Sequence, residues 1–159
     1  MSLRFSHAGL AALLLLILSA PPSVCADSRN VVARIDRSSL DNILSQRDSR
    51  YAVVIMASWC APCIDELPTL NKLYTRYRSQ GMQVIGLSID FAGPEAIQPV
   101  VDKLGVLFPV YWYGEKAVED FELFAIPMLL LVKNGRIVEK LPGRRTEKFL
   151  DKKFRQFLE

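Results

Sequence analysis

Histidine is almost absent from this sequence, and cysteine is scarce. The 159 residues include one histidine, His7, and three cysteines, Cys25, Cys60 and Cys63. If the first 26 residues are removed, as argued below, no histidine and two cysteines remain. Such a chain cannot build a Cys–His or Ser–His nucleophile system. It also has no imidazole for a metal and too few cysteines for a four-ligand zinc site. No metal or other cofactor is therefore expected.

The first 26 residues have the organisation of a secretory signal peptide. A short start carries Arg4 and no acid, an uncharged run covers 8–20, Pro21 and Pro22 break any helix, and Val24-Cys25-Ala26 offers a cleavage site. The alternative is an uncleaved membrane anchor, but thirteen apolar residues are short for a span that needs about 20. We expect residues 1–26 to be cleaved, and the mature protein to be periplasmic or secreted.

Charges of one sign are not clustered. Lys and Arg number 20 against 17 Asp and Glu, and the Arg144-Arg145 and Lys152-Lys153 pairs stand apart. A nucleic-acid interface needs a concentrated basic face, so no nucleic-acid partner is expected.

Hydrophobic patterning predicts alternating strands and helices. The apolar run 51–57 indicates a buried central strand, Ser38 or Ser39 is the expected cap of the first helix, and Asn134-Gly135 predicts a hairpin. The predicted order is βαβαβαβαββα, with strands at 31–35, 51–57, 83–89, 106–113, 128–133 and 136–141 and the later helices at 94–105, 116–124 and 146–158. This order predicts an α/β fold, a central mixed sheet flanked by helices.

One short motif carries the chemistry, at the junction of the central strand and the long helix that follows. Its residues are Trp59-Cys60-Ala61-Pro62-Cys63. A cysteine at a helix amino terminus is favoured as the thiolate by unpaired N–H groups and the helix dipole. Cys63, one turn later, can resolve a mixed disulfide formed at Cys60. Pro62 supplies a helix-compatible φ in the first turn.

Two further prolines are candidates for roles near this motif. Pro127 precedes the strand at 128–133 and is a candidate cis proline; an ordinary trans proline is the alternative. Pro68 lies within the long helix, where it would introduce a kink, unless the helix begins at Pro68 instead.

These residues resemble the thioredoxin superfamily, and more narrowly its TlpA/ResA-like periplasmic branch. The motif continues with Glu66 and Pro68, which is similar to the W-C-x-P-C-x-x-E-x-P pattern of that branch. The resemblance implies a thioredoxin-like domain over residues 27–159 with an extra strand and helix, placed at 92–118. It also implies that Cys60 is the nucleophile, Cys63 the resolving cysteine and Pro127 a cis proline.

One position departs from the thioredoxin pattern. Thioredoxins usually carry a buried Asp six residues before the first cysteine, and Val54 stands there. Asp90, at the end of the next strand, is the candidate replacement as proton acceptor for Cys63. The alternative for Asp90 is a solvated turn former or a helix cap. Glu66 matches the motif and has either a catalytic or a structural role.

The function implied by the resemblance is a protein-disulfide reductase of the cell envelope, acting for example on apocytochromes before haem attachment. Its expected partners are protein thiols or disulfides and a membrane or soluble thiol electron donor, and a monomer is expected. A disulfide oxidase or isomerase would use the same residues. A thiol peroxidase, a copper carrier and a redox-inactive scaffold fit less well. Ala57 replaces the Thr of peroxidases, copper carriers of this fold pair their cysteines with a His, and the cysteine pair is intact.

Overall fold

The computed structural model describes residues 30–159, and the predicted signal peptide lies outside this range. The elements, in chain order, are β1 (Ala33–Arg34), α1 (Arg37–Leu44), β2 (Arg50–Met56), α2 (Ala61–Tyr77), β3 (Met82–Ser88), α3 (Pro94–Lys103), β4 (Val110–Trp112), α4 (Ala117–Asp120), β5 (Met128–Lys133), β6 (Arg136–Pro142) and α5 (Glu147–Leu158). A 3-10 turn, Arg78–Gln80, follows α2. The predicted order of strands and helices is confirmed.

The strands form one mixed sheet of six strands, in the order β1-β4-β3-β2-β5-β6. The first four strands in this order, β1, β4, β3 and β2, run parallel to one another, and β5 is antiparallel to both β2 and β6. The central strand β2 is almost wholly buried, as expected of a strand covered on both faces. α3 and β4 fall within 92–118, where the additional strand and helix are predicted.

The helices form contacts in two groups. α2 packs on α5, where Tyr77 Oη donates a 2.8 Å hydrogen bond to Asp151 and the Tyr77 ring meets Phe154 edge-on. α1 lies beside α4, where an Arg37 guanidinium stands 5.3 Å from the centre of the Phe121 ring. The structure confirms a mixed sheet with helices packed on it. Within residues 30–159, no helix is both long and apolar enough to cross a bilayer.

The first helix begins earlier than the sequence predicts. Asp36 is its N-cap, and its carboxylate accepts a 2.8 Å hydrogen bond from the Ser39 backbone N–H. The prediction that Ser38 or Ser39 caps the helix is wrong, since both lie inside its first turn. Asp and Ser are nearly equivalent as caps, so local preference alone does not choose between neighbouring candidates.

β1 and β4, which pair with each other, are shorter than predicted, because side chains take over hydrogen bonds that longer strands would make. The Val32 N–H donates to Gln98 Oε1 at 2.7 Å. The Asn30 side-chain amide donates to the carbonyls of Val106 and Phe108 at 3.0 and 2.6 Å. These contacts satisfy the backbone without a ladder.

The long helix α2 contains Pro68 in its interior. The alternative that the helix begins at Pro68 is therefore wrong, because α2 starts directly after Cys60. After the 3-10 turn the chain ends its helical course at Gly81, whose φ of 90° lies in the left-handed region, as expected for a glycine that stops a helix.

Candidate active site

The candidate site lies at the edge of the sheet formed by the ends of β2 and β3 and the start of β5, where three segments distant in sequence meet. β2 and β3 run parallel, with Met56 beside Ser88, so the segments that follow them leave at the same edge. β5 runs antiparallel to β2, with Met128 beside Ile55, so the segment before it arrives there as well. The strand ends therefore bring Trp59-Cys60, Asp90 and Pro127 to a common edge.

Cys60 and Cys63 form a disulfide, with an S–S distance of 2.01 Å and Cα atoms 5.3 Å apart. Cys60 is the N-cap of α2, and its carbonyl accepts hydrogen bonds from the N–H groups of Cys63 and Ile64 at 3.0 and 3.1 Å. The pair therefore occupies the amino-terminal turn of a seventeen-residue helix, where N–H groups without helical partners and the helix dipole favour a thiolate.

The two cysteines differ little in exposure. Cys60 is 6% exposed and Cys63 1%. Both residues are therefore buried in the disulfide form. Cys60 is the more exposed residue of the pair.

Pro127 follows a cis peptide bond from Ile126, as predicted. Its carbonyl accepts a 2.7 Å hydrogen bond from the Gly143 N–H. Met128, the next residue, pairs with Ile55 on one side and with Pro142 on the other. The β5–β6 hairpin thus fixes Pro127 at the edge of the sheet that carries the cysteines.

Asp90 is buried beneath the turn that leads to Cys60, with 1% exposure. Its carboxylate accepts hydrogen bonds from the Ser58 N–H at 3.0 and 3.1 Å, the Ser58 hydroxyl at 2.6 Å and the Ser88 hydroxyl at 2.7 Å. The alternative that Asp90 is a solvated turn former or caps α3 is therefore wrong; Gly93 is the N-cap of that helix. Asp90 ties the end of β3 to the segment that precedes the cysteines.

Glu66 is also buried, with 2% exposure, and lies three residues after Cys63 on α2. Residues three apart on a helix are neighbours on one face. One Glu66 oxygen accepts a 2.7 Å hydrogen bond from the Arg145 N–H. Burial raises the pKa of the Glu66 carboxyl group, against the opposing effects of the Arg145 N–H and the positive charges of Arg144 and Arg145. The protonated form of this carboxyl group is therefore favoured more than it would be on the surface.

One feature of the site was not found by sequence reasoning. The Trp59 ring stacks on Phe91, with the ring centres 6.1 Å apart and the planes 11° from parallel. Both side chains are largely exposed, at 56% and 70%. The only sequence pattern that points to this pair is a large aromatic residue placed directly after the strand-ending Asp90.

Comparison with known sequences gives the family. The sequence matches the AhpC/TSA family over residues 27–140. The chain belongs to the AhpC/TSA family. Thiol-disulfide oxidoreductase ResA of Bacillus anthracis is 32% identical to this AhpC/TSA chain over 96 residues, 59% of the chain and 55% of the relative. ResA of Oceanobacillus iheyensis is 27% identical over 122 residues, 74% of the chain and 62% of the relative. The chain spans a little over half the length of these curated relatives.

Solved structures agree with the family fold. A thiol:disulfide interchange protein DsbE from Chlorobium tepidum, described as putative, superposes with a TM-score of 0.68 at 21% identity, over 76% of this chain and 85% of that one. StoA from Bacillus subtilis superposes with a TM-score of 0.59 at 19% identity, over 67% and 83%. These likenesses show that the AhpC/TSA domain described here has the thioredoxin fold, which confirms the predicted fold class.

Potential metal ligands are not grouped in the part of the chain that the structure describes. Over residues 30–159, there is no cluster of three or more Cys, His, Asp or Glu side chains arranged to bind a metal ion.

Proposed function

We propose that the protein is a thiol–disulfide oxidoreductase that reduces disulfides in proteins of the cell envelope, apocytochromes among them. The observation that carries this proposal is the Cys60–Cys63 disulfide at the amino terminus of α2. A disulfide that closes so short a loop restrains the unfolded chain little. A redox role therefore explains the Cys60–Cys63 disulfide better than a stabilising role does.

In the proposed reaction, the reduced protein first attacks its substrate through Cys60. The Cys60 thiolate bonds one sulfur of the substrate disulfide, the substrate S–S bond breaks, and the other substrate sulfur leaves as a thiolate that takes up a proton. Cys63 then loses its proton and attacks Cys60 Sγ, which releases the second substrate thiol. Two electrons pass to the substrate, and the protein is left with the Cys60–Cys63 disulfide. A dithiol donor, membrane-bound or soluble, must reduce it again.

Glu66 is the better proton acceptor for Cys63 of the two buried carboxyl groups. It lies one turn from Cys63 on the same helix, and burial raises its pKa. Within residues 30–159 it accepts one hydrogen bond, from Arg145. The Asp90 oxygens already accept from both serine hydroxyls and from a backbone N–H. We therefore assign proton transfer to Glu66, and assign Asp90 a positioning role in place of the base role expected from the sequence.

Two other residues complete the proposed site. Pro127, held by the β5–β6 hairpin, places the Ile126 backbone at the edge where a substrate chain would lie. Pro62, in the first turn of α2, removes one backbone N–H that would otherwise have no partner within the helix.

Export belongs to the same proposal. Residues 1–26 have the pattern of a signal peptide, and an oxidising compartment is where protein disulfides form and need a dedicated reductant. Mass spectrometry of the protein purified from the cell envelope should give a chain that begins at Asp27. A chain that retains its first 26 residues would favour the membrane-anchored alternative.

The direction of the reaction is tested by the reduction potential of the cysteine pair, measured at equilibrium with glutathione or dithiothreitol. A reductase should give a value near about −270 mV or lower, whereas a value near about −120 mV would identify an oxidase. The Cys63→Ser variant is the control, because it cannot form the intramolecular disulfide and should show no two-electron transition.

A further inference from the structure

Trp59 and Phe91 form a flat, exposed aromatic surface, here called the Trp59–Phe91 surface. The rings stack at 6.1 Å and keep 56% and 70% of their area exposed. Burial of a large apolar side chain is among the main favourable contributions to association. Two large aromatic side chains that contact each other and remain exposed therefore provide apolar area that a partner can bury.

The loop that carries Phe91 is held in place by its neighbour Asp90. The Asp90 carboxylate is bound to Ser58, next to Trp59. The Asp90 carbonyl accepts a 2.7 Å hydrogen bond from Trp112 Nε1 on β4, and the Trp112 ring is covered by the Arg34 guanidinium at 4.4 Å. Because Asp90 is anchored from two sides, Phe91 can be held against Trp59 without packing into the protein core. A surface fixed before binding loses little entropy when a partner arrives.

The position of this surface limits what can occupy it. Trp59 directly precedes Cys60, so a substrate sulfur bonded to Cys60 Sγ brings its neighbouring residues to Trp59. An extended chain advances about 3.3 Å per residue. The side chains one or two residues from the target cysteine therefore fall within reach of the Trp59–Phe91 surface. Stacked rings offer apolar area, so an apolar or aromatic side chain gains most there.

We propose that the Trp59–Phe91 surface selects disulfides whose cysteine is flanked by an apolar or aromatic residue, and that Phe91 is a specificity-determining residue. This inference rests on the proposed reductase function. Apolar residues beside a cysteine are mostly buried in folded proteins. The substrate class is consequently an unfolded or partly folded polypeptide, in which such a residue is still exposed.

The test compares two peptide disulfides of equal length and charge, one with Leu and Phe beside the cysteine and one with Ser at both positions. Pre-reduced protein is mixed with each, and with glutathione disulfide, in single-turnover experiments. The wild-type protein should react about tenfold faster with the apolar peptide, since one well-placed apolar group contributes roughly 1–3 kcal/mol. Phe91→Ser should remove most of this preference and leave the glutathione disulfide rate and the reduction potential unchanged.

Leu107→Ser is the matched control. Leu107 is 61% exposed and precedes β4, at the opposite edge of the sheet, so its loss should leave the preference intact. Phe91→Trp restores a flat apolar ring and should retain the preference, which separates recognition from a folding defect in Phe91→Ser.

A preference that survives in Phe91→Ser would overturn this inference while leaving the reductase function standing. A wild-type protein that reduces none of the three disulfides would remove the reductase function itself. A concentration-dependent dimer in the wild type that Phe91→Ser abolishes would also overturn it, since the surface would then bind a second copy of the chain.

Discussion

The two buried carboxyl groups near the cysteine pair have contrasting surroundings. Asp90 stands at a strand end and receives hydrogen bonds from two hydroxyl groups and one backbone N–H. Glu66 stands on a helix face and receives one, from Arg145, and burial raises its pKa. A carboxylate whose oxygens are fully used holds structure, whereas one with free capacity can accept a proton. This contrast is the basis for proposing a positioning role for Asp90 and proton transfer for Glu66, although the two residues are almost equally buried.

The comparison depends first on Cys63 being the thiol that must lose its proton late. Cys60→Ser should reduce substrate disulfides no faster than solution without the protein, because the attacking thiolate is gone. Cys63→Ser should attack but stop at the mixed disulfide, detectable by mass spectrometry. Adding Glu66→Gln to Cys63→Ser should leave the rate of mixed-disulfide formation unchanged. A slower first step in that double variant would place Glu66 at Cys60 instead.

Removing the Asp90 carboxylate should cost stability. Asp90→Ala leaves the Ser58 N–H and two hydroxyl groups without their acceptor, and we expect the free energy of unfolding to fall by about 3 kcal/mol. Urea titration of the oxidised protein measures it. Asp41→Ala removes an exposed carboxylate paired with Arg37 and should cost at most about 0.5 kcal/mol. Equal losses in the two variants would contradict the positioning role.

Removing the Glu66 proton acceptor should affect rate more than structure. Glu66→Gln keeps the size of the side chain and an oxygen for the Arg145 N–H, but it cannot take up the Cys63 proton. Resolution of the mixed disulfide at pH 7 should slow about 100-fold. Rapid-quench measurement of the released thiol gives this rate. Glu119→Gln, at an exposed position of α4, should match the wild type. An unchanged rate in Glu66→Gln would return the base role to Asp90 or to water.

The smallest expected effect is on the pH dependence of stability. Because burial raises the pKa of Glu66, the folded protein holds this proton more tightly than the unfolded chain does. The contribution of Glu66 to the free energy of unfolding is therefore fully present below the ordinary Glu pKa of about 4.3. It is lost as pH rises through the folded-state pKa. The loss cannot exceed about 1.4 kcal/mol per pH unit for one proton. In urea titrations from pH 4 to 8, the stability of the wild type relative to Glu66→Gln should decline as pH rises.

Much of the fold could be predicted because its patterns are local. The apolar run of β2, the Asn134-Gly135 turn and Gly81 after the long helix each act through neighbouring residues, and the structure confirms each of them. The lengths of β1 and β4 could not be predicted. They depend on the Asn30 and Gln98 side chains, whose partners lie at sequence separations of 66 to 78.

The site divides in the same way. The cysteine motif is contiguous, so the sequence shows it directly. The surroundings of the two acids and the Trp59–Phe91 stacking arise from contacts across 32 residues or more. The sequence predicts Asp90 as a proton acceptor, with a solvated turn former or helix cap as the alternative, because Asp at a strand end usually has that second role. The pattern does not show that two serines, one on each neighbouring strand end, close over that carboxylate.

The sequence separations of these contacts also order the assembly of the site during folding. Asp90 binds Ser58 across 32 residues, while Glu66 meets Arg145 across 79. Closing a longer loop costs more chain entropy, and contacts between distant residues form slowly. A nascent chain that has emerged only as far as β4 already contains both cysteines and the acid that positions them, but it lacks the hairpin and the Arg145 contact. With Glu66 in its proposed role as proton acceptor, full reactivity comes last, and thiol exchange then measures completed folding.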